Sequence, residues 1–261
     1  MLRAFVVSGL ILMPLAARAA DDPLARARAL YNERQFEAAV NAAEQARMTP
    51  SHANAADLVA ARAYLERYRD SDASDDLTNA RERLRRLNPS GFTPRERVEY
   101  IVGLGETLFF DGAFGAAATV FDSVMKGKED LPADARERVL DWWATAIERD
   151  AKAHAESDRQ AGYQRIRTRM ETELVDHPDS GMAAYWVAAA ARGQGDGQGA
   201  WDAAQAAWVR APLAGPRATM LRAELDLLVV RGIVPDRAKA LGQAVDAVRL
   251  TWEQFKERWK P

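Results

Sequence analysis

The chain contains no cysteine. Disulfides, thiolate metal sites and a cysteine nucleophile are excluded together. Histidine is scarce: His52, His154 and His177 are widely separated, and none has a His-Glu-x-x-His or His-x-His setting, so a zinc site would need scattered ligands. There is no Walker sequence and no Gly-x-Ser-x-Gly elbow. No charge of one sign dominates either. The formal net charge is -2, without a long acidic or basic tail, so nothing draws the chain in bulk to nucleic acid or anionic lipid. Alternating β-branched runs are nearly missing, which argues against sheet. From these absences we expect no enzyme, no catalytic or metal residues and no cofactor.

Long apolar runs are absent except at the start. Met1-Leu2-Arg3 gives a short positive opening, Ala4 to Leu15 an apolar stretch, and Ala17-Arg18-Ala19 the small residues of a cleavage site. This is the three-part form of a secretory signal over residues 1–20, with cleavage after Ala19 or Ala20. The stretch is short for a membrane anchor, and no second one follows. Residues 21–261 are therefore expected as one periplasmic or secreted domain without stable membrane insertion.

What is present favours helix. Apolar residues make up 48% of the chain, and Ala, Leu, Arg, Glu and Gln, which lose least in a helix, dominate it. Pro50, Pro89, Pro94, Pro132, Pro178, Pro212, Pro216 and Pro235 mark helix boundaries. The pattern reads as helices of about ten to twenty residues with short connections.

The stretch from Tyr100 to Met125 carries Leu104-Gly105, Leu108, Gly112, Phe114, Ala117 and Phe121. Weaker copies surround it: Ala27, Leu30, Phe36, Ala39 and Ala43; Ala80, Leu84 and Pro89; Tyr163, Ile166, Met170 and Pro178; and Trp201, Ala204, Trp208 and Pro212. These spacings resemble the tetratricopeptide repeat, in which small residues let two helices of a hairpin approach while large apolar residues fill the holes. Ala39, Ala80, Ala117, Ile166 and Ala204 occupy the small-residue slot, 41, 37, 49 and 38 residues apart, against a family period of about 34. Ile166 departs from the pattern, because its bulk forbids the closest approach. The resemblance implies an all-α chain: a solenoid of about six antiparallel helix hairpins forming a superhelix. Gly105 and Ala117 should face each other across a tight hairpin.

Four further stretches need a reading. Arg69 to Asp76 is taken as a solvated polar loop; it lacks the glycine and final glutamate of a calcium loop. Gly193 to Gly199 reads as a turn between helices, since no Lys-Ser/Thr follows it. Arg81, Arg83, Arg85 and Arg86, and the carboxylates Glu137 and Asp141, read as solvated helix faces. Leu241, Val245, Val248, Trp252, Phe255 and Trp259 form one stripe on a long terminal helix from about Asp236 to Trp259, serving as a solenoid cap or as a dimer seam.

The resemblance also implies a function. In tetratricopeptide hairpins the first helix lines a concave groove, which binds another protein or a peptide. Side chains just off the packed stripe of that helix are the expected contacts: Arg28 and Tyr31 in the first unit, and Glu106, Phe109 and Phe110 in the best-matching one. Phe109, following the packing residue Leu108, should face away from its hairpin partner and anchor a ligand. The expectation is a non-catalytic scaffold or adaptor of the cell envelope, with no nucleic-acid partner and its oligomeric state left open. The alternatives are a self-associating envelope subunit and a helical enzyme acting on cell-wall glycan, for which Glu106 is the candidate acid.

Overall fold

The computed structural model describes residues 22–127 and 131–260, so the signal-like segment lies outside the described residues. Among the described residues every regular element is a helix. The chain runs through α1 (Pro23–Asn32), α2 (Phe36–Arg47), α3 (Ala53–Ser71), α4 (Ser74–Arg86), α5 (Pro94–Phe110), α6 (Phe114–Met125), α7 (Ala133–Lys152) and α8 (Glu156–Asp176). It continues through α9 (Gly181–Gly193), α10 (Gly197–Arg210), α11 (Ala218–Leu228), α12 (Val234–Leu241) and α13 (Val245–Arg258). Local signals start several of these. Asp22 accepts from Leu24 N–H ahead of Pro23, Ser180 accepts from Ala183 N–H, and Asp196 accepts from Gly199 N–H. Each satisfies a backbone donor that a helix start leaves open.

The described helices pack in repeat-like fashion, each on its neighbour in the chain: α1 on α2, α2 on α3 and α3 on α4, then α6 on α7, α7 on α8, α8 on α9 and α9 on α10. Two compact units divide between Gly103 and Leu104, within α5.

The slot residues Ala39, Ala80, Ala117, Ile166 and Ala204 are all fully buried and fall on α2, α4, α6, α8 and α10, the second helix of each pair. In the first unit alanines dominate the core, with Ala27, Ala43, Ala46, Ala56 and Ala60 around Leu24 and Val59. Side chains this small bring helix axes close together. In the second unit Ala117 is likewise fully buried, and Gly105 makes room for an aromatic ring. The Phe121 ring lies on Gly105, where a β-carbon would stand 2.6 Å from it. Around Ile166 the tight spot moves one turn back, to Gly162 against Ala151 and Ile147. The wide spacing here is taken up by helix length: α7 and α8 have 20 and 21 residues, against 12 for α6.

Two expectations are corrected. Residues 69–76 form no loop: α3 runs to Ser71, α4 starts at Ser74, and the turn is Asp72-Ala73 with Asp72 at φ 55°. Asp75 and Asp76 favour this start because they complement the helix dipole, and Asp76 is buried with Arg67 3.2 Å away. The terminal helix is also two helices. Gly242 adopts φ 63° at the end of α12, a conformation cheap for glycine, and α13 begins at Val245. The stripe divides accordingly. Val248, Trp252 and Phe255 are buried, whereas Leu241, Val245 and Trp259 are exposed. Trp252 stacks near Phe255 and meets Trp201 and Trp208 of α10 edge-on, and its indole N–H donates to Asp226 at 2.8 Å.

Candidate functional site

The five residues expected to bind a partner fall in both units. In the first unit, Arg28 donates to Glu96 at 2.6 Å, and Tyr31 lies under the Arg62 guanidinium, 4.3 Å from its centroid, and against Phe36. In the second, Glu106 is half-buried on α5. Phe109 and Phe110 close on Trp142 of α7, with centroids 4.6 and 5.3 Å apart. Phe109 also meets Phe114, on its hairpin partner, at 5.2 Å and carries Arg149 over its face. It is 7% exposed, while Leu108 is half-buried. The expected outward orientation of Phe109 is therefore reversed: the aromatic ring fills the space between α5, α6 and α7 better than the leucine does.

The second unit holds a cleft of about 430 Å³ between α7, α9 and α11. Two contacts per helix pair fix its geometry. Glu137 accepts from Met182 N–H, and Asp141 accepts from the Trp186 indole, each pair 45 residues apart. Gly181 packs on Leu221, and Gly232 lies against the Arg192 guanidinium, each pair 40 residues apart. A constant offset along both pairs means that α7, α9 and α11 run in the same direction. They are the first helices of three successive pairs. Each turns one face to the cleft: Asp141, Thr145 and Glu148 from α7; Met182, Tyr185, Trp186 and Arg192 from α9; Glu224, Leu227 and Leu228 from α11. These are the three-, four- and seven-residue spacings of one helix side.

The cleft ends on a local distortion. Pro235 has no N–H to donate four residues back, and the chain forms a π-turn over Val229–Ile233, with Val234 N–H reaching Val229. The turn places Arg231 and Gly232 on the cleft wall. Gly232 needs its missing side chain, because a β-carbon would stand 2.7 Å from Arg192 Cζ.

Glu137 and Asp141, expected on a solvated face, are placed differently. Glu137 is buried, accepting from Ser180 Oγ at 2.5 Å and pairing with Arg217 at 2.7 Å. It clamps the start of α9. Burial pushes the Asp141 carboxyl above the ordinary carboxylate range; the Trp186 hydrogen bond opposes this and the Glu137 charge adds to it. Burial also raises Glu224, with repulsion from Asp141 second and Arg217 opposing. Glu224 and Arg231 make no ion pair or side-chain hydrogen bond among the described residues. At the Arg231 end, Arg192 is held by Asp236 at 2.8 Å and Glu148 by Lys152 at 3.3 Å. The cleft thus has an acidic end, an aromatic and aliphatic middle, and an end where Arg231 stands beside the paired Arg192 and Glu148.

Arg83 was also misplaced by its neighbours in the sequence. Its side chain is 11% exposed and bridges Glu44 and Asp57, joining α4 to α2 and α3. The glycine-rich stretch gives the expected turn between helices, confined to residues 194–196 because α9 runs to Gly193 and α10 begins at Gly197, and the three histidines stay apart. His52 is near Asp22, His154 against the Asp150 carbonyl, and His177 near Glu173.

Compared with protein-family models, with curated proteins and with solved structures, the chain matches none.

Proposed function

We propose that the chain is an exported, non-catalytic scaffold built of tetratricopeptide-type helix pairs, and that it docks a segment of another envelope protein in the cleft on α7, α9 and α11. The observation that carries this reading is the common face of three parallel first helices, which joins an apolar middle to polar groups of both signs. Its volume lies within the usual range of binding clefts, about 300–1,000 Å³, and aromatic walls with a few oriented polar groups are their common composition. Grooves between helices are a standard seat for peptide segments.

Photo-crosslinking in the native cell tests the reading. A photoreactive residue at Leu227, 51% exposed on the cleft wall, should give one discrete adduct with another protein. The same residue at Met48, exposed in the first unit, should not. Equal labelling from both positions would overturn the assignment. N-terminal sequencing of the exported protein should begin at Ala20 or Asp21; a chain still starting at Met1 would remove the export part of the proposal.

A catalytic reading has one observation in its favour: two carboxyls with raised affinity for protons share a cleft, a common arrangement in acid catalysis. On that reading the acid would be Asp141 or Glu224 rather than Glu106. Cleavage of cell-wall glycan by the purified chain, lost in both Asp141→Asn and Glu224→Gln, would support it.

A further inference from the structure

We infer that the cleft binds its peptide in a fixed polarity. A lysine or arginine side chain lodges between Asp141 and Glu224, apolar side chains cover Tyr185 and Leu228, and a carboxylate of the peptide meets Arg231. This rests on the binding reading above and adds the chemistry of the occupant.

The three helices of the cleft run in one direction. Asp141 of α7 and Glu224 of α11 lie toward one end of the cleft, and Arg192 near the end of α9 and Arg231 in the π-turn after α11 lie toward the other. The charges on α11 and its π-turn are therefore separated by position, and Glu148, which shares the Arg231 end, is paired with Lys152. At the acidic end Glu137 is already neutralised by Arg217. Asp141 has the Trp186 indole as its hydrogen-bond donor, and Glu224 has no cationic partner within ion-pair distance. Two neighbouring carboxylates in a half-buried site repel each other, and a guest ammonium or guanidinium between them relieves that repulsion. At the Arg231 end Arg192 is engaged with Asp236, and Arg231 is exposed without an ion pair. Glu224, which feels Arg217 only at longer range, and Arg231 make no ion pair among the described residues; they have opposite sign and lie at opposite ends.

Their separation sets the spacing in the peptide. Seven residues of helix rise about 10.5 Å. An extended chain covers that distance in about three residues at ~3.3 Å each. The occupant that fits is an extended segment with a basic and an acidic group separated by two or three positions and apolar side chains between them. Charge complementarity at both ends would also fix which way it lies.

The test uses a phage-displayed library of random linear peptides, selected on the full chain and counter-selected on Leu227→Arg. Enriched peptides should carry a basic and an acidic residue at that separation. Glu224→Gln and Arg231→Ala should each weaken them about tenfold. Glu224→Lys should reverse the preference at the basic position, recovering peptides with an acid there. Thermal melts of the variants should match the parent to within a few degrees. If enriched peptides bind through the cleft but show no such charge pattern and ignore both substitutions, the polarity is wrong and the binding reading stands. If nothing is enriched over the Leu227→Arg control, both fall together.

Discussion

In the first unit the polar side chains of the helix pairs are occupied by one another. Arg28 holds Glu96, Arg62 holds Glu99 at 3.0 Å while covering Tyr31, and Arg83 ties Glu44 to Asp57. In the second unit the corresponding first helices leave Glu224 and Arg231 without ion pairs on the walls of a cleft. Both units use pairs of helices with a buried small or apolar residue on the second helix. The difference lies in what the first helices do with their remaining polar groups. Charges that satisfy each other stabilise and order the surface, and those left uncompensated beside apolar walls are available to a ligand.

The comparison breaks most severely at the chain terminus. Ending the chain after Gly242 removes α13 and uncovers Trp201 and Trp208. Loss of cooperative melting, or aggregation, is expected. A well-folded monomer obtained from a dimeric full chain, seen by sedimentation, would instead make α13 a pairing surface.

Next come groups that are buried in the second unit and matched by exposed ones in the first. Glu137→Ala strands Arg217, Ser180 and the Met182 N–H and should cost about 3–5 kcal/mol. Phe109→Ala should cost a similar ~3–5 kcal/mol through lost contact with Trp142 and Phe114. Arg28→Ala, at a side chain 49% exposed, should cost less than about 1 kcal/mol. Denaturant melts of the three variants rank them. A Phe109→Ala protein of undiminished stability would return that ring to the surface. At smaller scale, Gly105→Ala should overpack Phe121 and cost about 1–3 kcal/mol, whereas Gly91→Ala, with open space around it, should change stability by less than about 0.5 kcal/mol.

The smallest effect is on pH dependence. Glu224 binds its proton more tightly when folded than when unfolded, by virtue of burial first and Asp141 second. Its contribution to stability therefore falls as pH rises from about 4 through the raised value. Glu224→Gln removes the charge, so the variant should exceed the parent at pH 7 by at most about 1 kcal/mol. That gain should vanish below about pH 4. A variant less stable than the parent at pH 7 would mean that Glu224 has a partner in solution.

The helical class and the repeat register were legible because packing leaves a periodic mark. Ala39, Ala80, Ala117, Ile166 and Ala204 must be buried wherever the second helix meets the first, and all five are. The same logic set Phe109 facing outward, and the structure buries it. Tyr100 to Met125 matches the repeat best because its residues are dictated by packing, so Phe109 belongs to the core it helps define. Asp141 and Glu224 follow no packing rule. They become neighbours through the 45- and 40-residue offsets of α7, α9 and α11, and the first of these depends on the two long helices α7 and α8. Arg83 and Glu137 were hidden for the same reason: a charged residue on an amphipathic helix looks solvated until the helix across from it is known. The split of the terminal stripe did have a local signal in Gly242. The four- and three-residue spacing overrode it.

The central claim is that binding belongs to the cleft of the second unit and not to the first helices of the first. Titrating the protein crosslinked at Leu227, or the peptide selected on the cleft, against Leu227→Arg and Arg28→Ala tests it most directly. Both substitutions fall on exposed side chains, so melts should stay close to the parent. The account predicts at least a tenfold loss of affinity, about 1.4 kcal/mol, for Leu227→Arg and none for Arg28→Ala. Unchanged affinity for Leu227→Arg with a clear loss for Arg28→Ala would contradict it.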